Sequence, residues 1–363
     1  VGINSRGVPI TPVLTWADSR SAAYSQKLRS EFDDDEILQS TGTHLHSSFW
    51  PAKILWAKDA FGIKALDQVK WLGLPDLLML RMTGRTLSQA SLASATGLLD
   101  FRNGRWFTPL LDKIGLTENQ LPEITESHKA IRLKESLRRR FVKLKNSLWL
   151  PSISDGAANT VALSRPDSGK LILMIGTSAA LRVLLSKPPK RIPEGLFYYR
   201  IDNGCGILGG AISDGGSLID WLRNTLRLDK SNRKLSESFF AAARNPSQIE
   251  FRLGLNGERS PLYRELVTAS ILNLTADCSP YDIALAAIKS LAESAAEIAA
   301  RIEHAYDFKT VIACGKPLSR FPFLRSIIEE SLARDIILAK DREWSLTGAA
   351  QYALFQINQQ SDY

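Results

Sequence analysis

The chain predicts an α/β fold. Two observations carry that prediction. Apolar β-type runs alternate with helical patterns through the second half, and each run closes on a Gly, Ser or Asp turn. At 363 residues the chain has the length of about two domains. The cleanest break is Arg165-Pro166-Asp167-Ser168-Gly169, which divides 1–165 from 166–363.

The elements follow in order. Residues 1–15 read as a hairpin fragment, with a turn at Asn4–Gly7 and an extended run from Ile10 to Thr15. Residues 17–40 are polar and helix-prone. A helix then carries Pro51 in its first turn and ends before Gly62. Another runs from Leu74 to Gly84, opened by Pro75. A small-residue stretch leads to a turn at Asn103-Gly104, and 108–146 is mostly helical with a loop at Pro122.

The pattern then changes. Leu148 to Ile153 reads as a short strand entering Asp155-Gly156. Lys170 to Ile175 is a buried-type strand running into Gly176-Thr177-Ser178. Phe197–Ile201 and Gly206–Ile212 read as a strand pair around Asn203-Gly204. Gly215-Gly216 precedes an amphipathic helix, Ser217 to Arg227, and residues 264–304 read as helical. A β-run from Lys309 to Ala313 ends at Gly315. A helix from Arg320 to Leu332, a strand from Asp335 to Leu338 and an Ala-rich helix from Leu346 close the chain.

Composition removes several function classes. Hydrophobic content of 44% with 23% charge is ordinary for a globular chain with a large core. Three cysteines, Cys205, Cys278 and Cys314, form no CxxC pair and no metal spacing with His44, His46, His128 or His304. That usage fits a reducing, cytoplasmic setting. No apolar run approaches the roughly 20 residues of a membrane span, and no signal peptide opens the sequence. The net charge of +8 rests largely on Arg132 to Lys145, where Leu133, Leu137, Phe141 and Leu144 recur at helical spacing. We read that run as an amphipathic helix with a solvated basic face, and expect no nucleic-acid partner and no membrane partner.

Three small motifs carry chemistry. In "SISDGAAN", Asp155 either shapes an Asp-Gly turn or offers a carboxylate to a substrate hydroxyl. Gly176-Thr177-Ser178 lets the backbone turn closely around an anion, with hydroxyls and amides free for phosphate. Trp16, Asp18 and Arg20 combine an aromatic plate, an acid and a fork of donors, suited to a polyol or simply to a helix start. His44 and His46 alternate, so they share one side of an extended segment, as a sugar contact or as surface polarity. Glycine turns at several strand ends suggest a nucleotide cleft.

Together these residues resemble the FGGY carbohydrate kinases. "TPVLTWADSRSA" resembles the family's Trp-x-Asp-x-Arg segment in its gluconokinase form. "TGTHLH", "PAKILW" and "ASLASATGLLD" follow in family order. "SISDGAAN" resembles the segment with the catalytic Asp, and "LMIGTSAALR" the Gly-Thr-Ser phosphate loop. "GGAISDGGSLIDWLR", "GLNGERSP" and "EWSLTGAAQYAL" resemble motifs of the C-terminal domain.

The resemblance implies two ribonuclease-H-like domains of actin/hexokinase type around a cleft. It implies ATP and Mg²⁺, a sugar or sugar-acid substrate (gluconate being the best fit) and a homodimer. On it, Asp155 is the general base. Gly176, Thr177, Ser178 and Gly215 hold phosphate, and Gly315 lies under the nucleoside near Ser319. Trp16, Asp18, Arg20, His44 and His46 build the sugar side. The sequence begins where the family is already under way, without its Asp-x-Gly-Thr segment. The first domain is therefore expected to be incomplete at its N-terminus and the chain, taken alone, to be impaired in catalysis. A sugar-binding or partner-binding module is the alternative. Ala179 replaces a family Gly and is expected to narrow the phosphate approach. Lys316 is expected to face nucleotide or solvent.

Overall fold

The computed structural model describes residues 1–64, 68–125, 131–203, 205–244, 247–340 and 342–358. His128, Gly204 and part of the expected 108–146 helix lie outside the described residues.

Six strands build the main sheet: β1 (Lys170–Ile175), β2 (Ala179–Leu185), β3 (Phe197–Asp202), β4 (Cys205–Ile212), β5 (Thr310–Cys314) and β6 (Ile336–Leu338). Their spatial order is β6-β5-β1-β2-β4-β3. β6, β5 and β1 run parallel, and the other neighbours are antiparallel. β1 is a continuous apolar run because both its faces are covered. Along β2 the faces alternate: Leu181, Val183 and Leu185 join the larger core, while Ala180 and Leu184 join a smaller one behind the sheet.

The helix Pro280–Glu303 fills the larger core. Ser279 accepts from the Asp282 amide and Asp282 accepts from the Ser279 amide at 2.8 Å, with Pro280 in the first turn. Its buried stripe, Ala284, Ile288, Leu291, Ala295, Ile298 and Ile302, keeps helical spacing. The expected 264–304 helix begins only at Pro280. Leu266 and Asn273 take positive φ, and Ser270–Leu272 pairs instead with Glu250–Arg252.

The opposite face is covered by two helices, Asp155–Leu163 and Trp344–Asn358. They meet through small residues: a Cβ at Gly348 would stand 1.7 Å from the Ala158 carbonyl oxygen. The small-residue run after Asp155 is thereby explained. Ala157 packs on Ala180, Leu184, Phe197 and Ile207 of the sheet, while Ala158 faces the last helix.

In the first half, the helices Ala22–Arg29, Asp34–Thr41 and Trp50–Ala60 surround Leu28, Ile37, Ile54, Ala57, Leu98 and Leu110. Among the described residues, strands there are two or three residues long. The expected hairpin at residues 1–15 is reduced to a single bridge from Ile3 to Pro9. Gly2–Ile3 pairs with Lys70–Trp71, because Pro9 and Pro12 interrupt the donor row of the second arm.

Two further expectations change. Leu148–Ile153 is an irregular segment with one bridge, Trp149 to Ile131. The basic run is no long amphipathic helix. It forms a short helix, Glu135–Arg140, and a 3₁₀ turn, Val142–Leu144, with Leu133 buried and Phe141 and Leu144 exposed. No helix among the described residues is long and apolar enough to cross a membrane.

Candidate active site

Asp155 opens a helix rather than an Asp-Gly β-turn. Ser154 is the N-cap and accepts from the Ala157 amide at 3.3 Å. Asp155 thus occupies the first helical position, where the dipole favours its negative charge. Its Oδ1 accepts from the Gly156 amide at 2.7 Å, and the residue is exposed. Ser345 Oγ, on the last helix, donates to the Asp155 carbonyl at 3.4 Å.

Three glycine turns meet at the carboxyl edge of the sheet. β1 and β5 pair in parallel up to Met174 and Cys314, so Gly176 and Gly315 emerge together from the carboxyl edge. The Gly216 amide donates to the Gly176 carbonyl at 2.7 Å, and the Ser217 amide to the Thr177 carbonyl at 3.1 Å. Side chains are excluded at this junction. A Cβ would stand 2.5 Å from Ser178 C at Gly215, 2.5 Å from Gly176 O at Gly216 and 1.9 Å from Ile175 O at Gly315. Gly315 also has φ +115°, a region that favours glycine.

These turns wall a cavity of about 530 Å³, with Asn159, Thr177, Ser319, Ser345 and the cations Lys316, Arg223, Arg320 and Lys340. Lys316 is exposed there and lies outside the core. Ala179 corrects an expectation: its side chain enters the larger core, away from the phosphate approach. The alternation that turns Ala180 to one face turns Ala179 to the other.

A second cavity, of about 540 Å³, is lined by Trp16, His46, Ser47, Ser213, Asn256 and Glu265, among others. Asp18 and Arg20 form a two-bond pair at 2.9 and 2.6 Å, and Arg20 lies over the Trp56 ring at 4.2 Å. That pair holds the Asp18 carboxyl below its usual range. Lys53 Nζ donates to the Asp18 carbonyl at 2.7 Å. Burial pulls the Lys53 pKa down to about 8, against the attraction of Asp18 and Glu265.

The histidines part company. Both are buried, which excludes the surface-polarity reading. His44 Nδ1 lies 2.7 Å from Asp34 Oδ2, its Nε2 accepts from the Gly195 amide at 3.1 Å, and its ring packs tilted against Tyr263, with centroids 4.4 Å apart. With both nitrogens engaged, His44 braces the fold. His46 Nδ1 accepts from the Ser48 amide at 3.1 Å, which leaves the proton on Nε2, 3.7 Å from Glu265 Oε2. Burial lowers the His46 pKa to about 4. Glu265 in turn accepts from the Ser47 amide at 2.6 Å and from the Ser25 hydroxyl.

Two family models match the chain. The N-terminal domain of the FGGY family of carbohydrate kinases matches residues 3–139, and the C-terminal domain matches 171–357. The chain belongs to the FGGY carbohydrate kinases. These are phosphotransferases with alcohol acceptors, and the two-domain actin/hexokinase-type architecture expected from the sequence is the one found.

Gluconokinase of Bacillus subtilis (strain 168) is 22% identical over 367 residues, which cover 98% of this chain and 72% of that relative. Ligand-bound xylulose kinase from Lactobacillus acidophilus superposes with TM-score 0.86 at 24% identity. Gluconate kinase from the same organism gives 0.85 at 25%; each comparison covers 99% of this chain and 73% of the other. Plasmodium falciparum glycerol kinase with ADP gives 0.81 at 20%, covering 98% and 73%. The relatives differ in the sugar they are named for, so family membership leaves the substrate of this FGGY chain open.

Sequence reasoning singled out none of four charged groups that burial sets apart: Lys53, Arg182, Arg259 and Glu265. Two had a readable signal. Lys53 is a charge inside the apolar helix "WPAKILW", and Arg182 is the lone charge in the apolar strand "AALRVLL". Arg259 and Glu265 lie in a loop with no periodicity to mark them.

Proposed function

We propose that the whole protein transfers the γ-phosphoryl of ATP to a hydroxyl of a sugar acid or related polyol, gluconate being the preferred candidate. Asp155 accepts the hydroxyl proton while the new O–P bond forms and the bond to the ADP oxygen breaks. The observation that carries this reading is the placement of Asp155. It is an exposed carboxylate at a helix N-terminus, bonded through its carbonyl to Ser345 and one helical turn from Asn159, both of which line the glycine-walled cavity.

In this reading Gly176, Thr177, Ser178 and Gly215 hold the phosphates, and Gly315 and Ser319 flank the nucleoside. Trp16 and His46 contact the sugar, while the Asp18–Arg20 pair shapes that wall. Mg²⁺ would arrive with the nucleotide, whose phosphates and waters supply most of its ligands. Asp220 and Glu343 are carboxylates in the wall of that cavity. Among the described residues no group of three His, Cys, Asp or Glu could hold a metal without such help.

A coupled assay with ATP and Mg²⁺ on a sugar panel tests the proposal. Asp155→Asn should lower turnover by about 10²-fold or more and leave sugar binding intact. Full activity in that variant would overturn the base assignment. Sugar binding without nucleotide binding would favour a non-catalytic binding module instead.

A further inference from the structure

Arg182 is an anomaly. It sits in β2 on the face that Ala180 and Leu184 share, and its guanidinium lies against the backbone of Gly156, directly after Asp155. A Cβ at Gly156 would stand 3.1 Å from Cζ and from Nη2. Nη1 is fully buried, and among the described residues it has no hydrogen-bond partner and no salt bridge reaches the group. A guanidinium carries five donors and stays charged, so burying Nη1 without a partner is costly, although the residue as a whole is only half-buried. Sites where a fold tolerates such a cost are characteristically functional. Burial draws the Arg182 pKa down, and Asp155, Tyr199 and Cys314 oppose that pull only in part.

The surroundings of Arg182 narrow the ligand class. The glycine-walled cavity has its own cations, Lys316, Arg223, Arg320 and Lys340, and Arg182 is not among its lining residues. Its electrostatic neighbours lie on both sides: Cys314 belongs to the wall of that cavity, while Asp155 and Tyr199 do not. Tyr199 and Arg259 feel its field, and the Arg259 guanidinium lies over Trp16 at 4.2 Å, at the edge of the second cavity. Arg259 spends Nε on Ser213 and Nη2 on the Ile212 carbonyl, both at or below 3.3 Å, so it is anchored to the end of β4. Arg182 is therefore the unspent fork against Gly156, directly beside Asp155, the residue read as meeting the acceptor.

We propose that Arg182 binds the carboxylate of the acceptor and makes this site select polyol acids over the corresponding neutral polyols. The inference rests on the reading of Asp155 as the group that meets the acceptor. A planar fork with free N–H groups matches a carboxylate in two parallel bonds, and the ligand's charge neutralises what the free protein leaves unpaired. A neutral alcohol offers neither. Arg182 thus acts as a specificity residue, distinct from the base.

Calorimetry and thermal shift with D-gluconate and D-glucitol, which differ in a carboxylate against a CH₂OH, test this on the native chain, Arg182→Met and Arg182→Lys. Native protein should bind gluconate at least about tenfold more tightly than glucitol. R182M should lose that preference, keep its glucitol affinity and melt no lower than native protein without sugar, because a buried unpaired charge has been removed. R182K should retain part of the preference. Gluconate preference surviving in R182M overturns the proposal, and so does an equal loss of both sugars, which would make Arg182 a structural residue. The kinase reading fails separately: gluconate preference that depends on Arg182, with no ATP-dependent turnover of any polyol, would sink catalysis and leave this inference standing.

Discussion

Lys53 Nζ donates to the backbone carbonyl of Asp18 at 2.7 Å, tying the helix Trp50–Ala60 to the loop that carries Trp16, Asp18 and Arg20. The bond joins a buried cation to the wall of the candidate sugar site, so pH should reach that wall. With a folded pKa of about 8 against 10.5, Lys53 is harder to protonate in the native state. Between those values the unfolded chain binds more protons, so stability rises with pH across the window. The unfolding free energy of native protein minus that of Lys53→Met should grow by about 3 kcal/mol from pH 8 to 10.5. Urea titrations of both proteins at the two pH values check it, and a flat difference would refute the shift.

His46 gives the acid-side counterpart. Its folded pKa of about 4 lies below the usual 6.5, so the ring stays neutral at physiological pH. As pH falls from 6.5 towards 4 the unfolded state takes up a proton that the native ring refuses, and stability is lost. NMR should show the His46 imidazole neutral down to about pH 4. In His46→Gln the acid loss of stability should shrink.

The phosphate cradle predicts an intolerance. At Gly216 a Cβ would press on the Gly176 carbonyl at 2.5 Å and on Pro317 at 3.0 Å. Gly216→Ala should separate the two turns, weaken ADP binding by about tenfold and cost about 1–3 kcal/mol of stability. Calorimetry with ADP measures the first and thermal melts the second. Unchanged ADP affinity would show that the junction does not shape the nucleotide site.

Gly348 predicts an effect at a distance. The helix carrying Asp155 rests on the last helix through a contact that leaves no room for a methyl group. Gly348→Ala should push the helices apart, cost about 3 kcal/mol and displace Asp155. Turnover should fall by about 10²-fold for a shift near 1 Å, with KM for nucleotide changed far less. Equal losses in both would point to general damage.

Much of the fold was legible because its signals are local. The glycines after β1 and before Lys316 fall where a strand must turn into a close approach. The apolar runs Lys170–Ile175 and Lys309–Ala313 mark β1 and β5, and Gly84 closes the helix opened by Pro75. The failures were also local signals, overruled. The 264–279 segment looked helical, yet it takes up positive-φ turns and a strand around the second cavity. The Arg132–Lys145 run had helical spacing, but among the described residues no surface covers Phe141 and Leu144, which stay exposed.

The sequence by itself determined the α/β class, the family and the order of the motifs, because turn chemistry and apolar periodicity are written residue by residue. Only the tertiary structure decided what those residues face. It turned Asp155 from a turn residue into a helix N-terminus, committed both nitrogens of His44 to the scaffold and sent Ala179 into the core. It also left Arg182 half-buried against Gly156, with Nη1 unpartnered among the described residues. Burial and pairing are properties of contacts between residues far apart in the chain, and no local pattern encodes them.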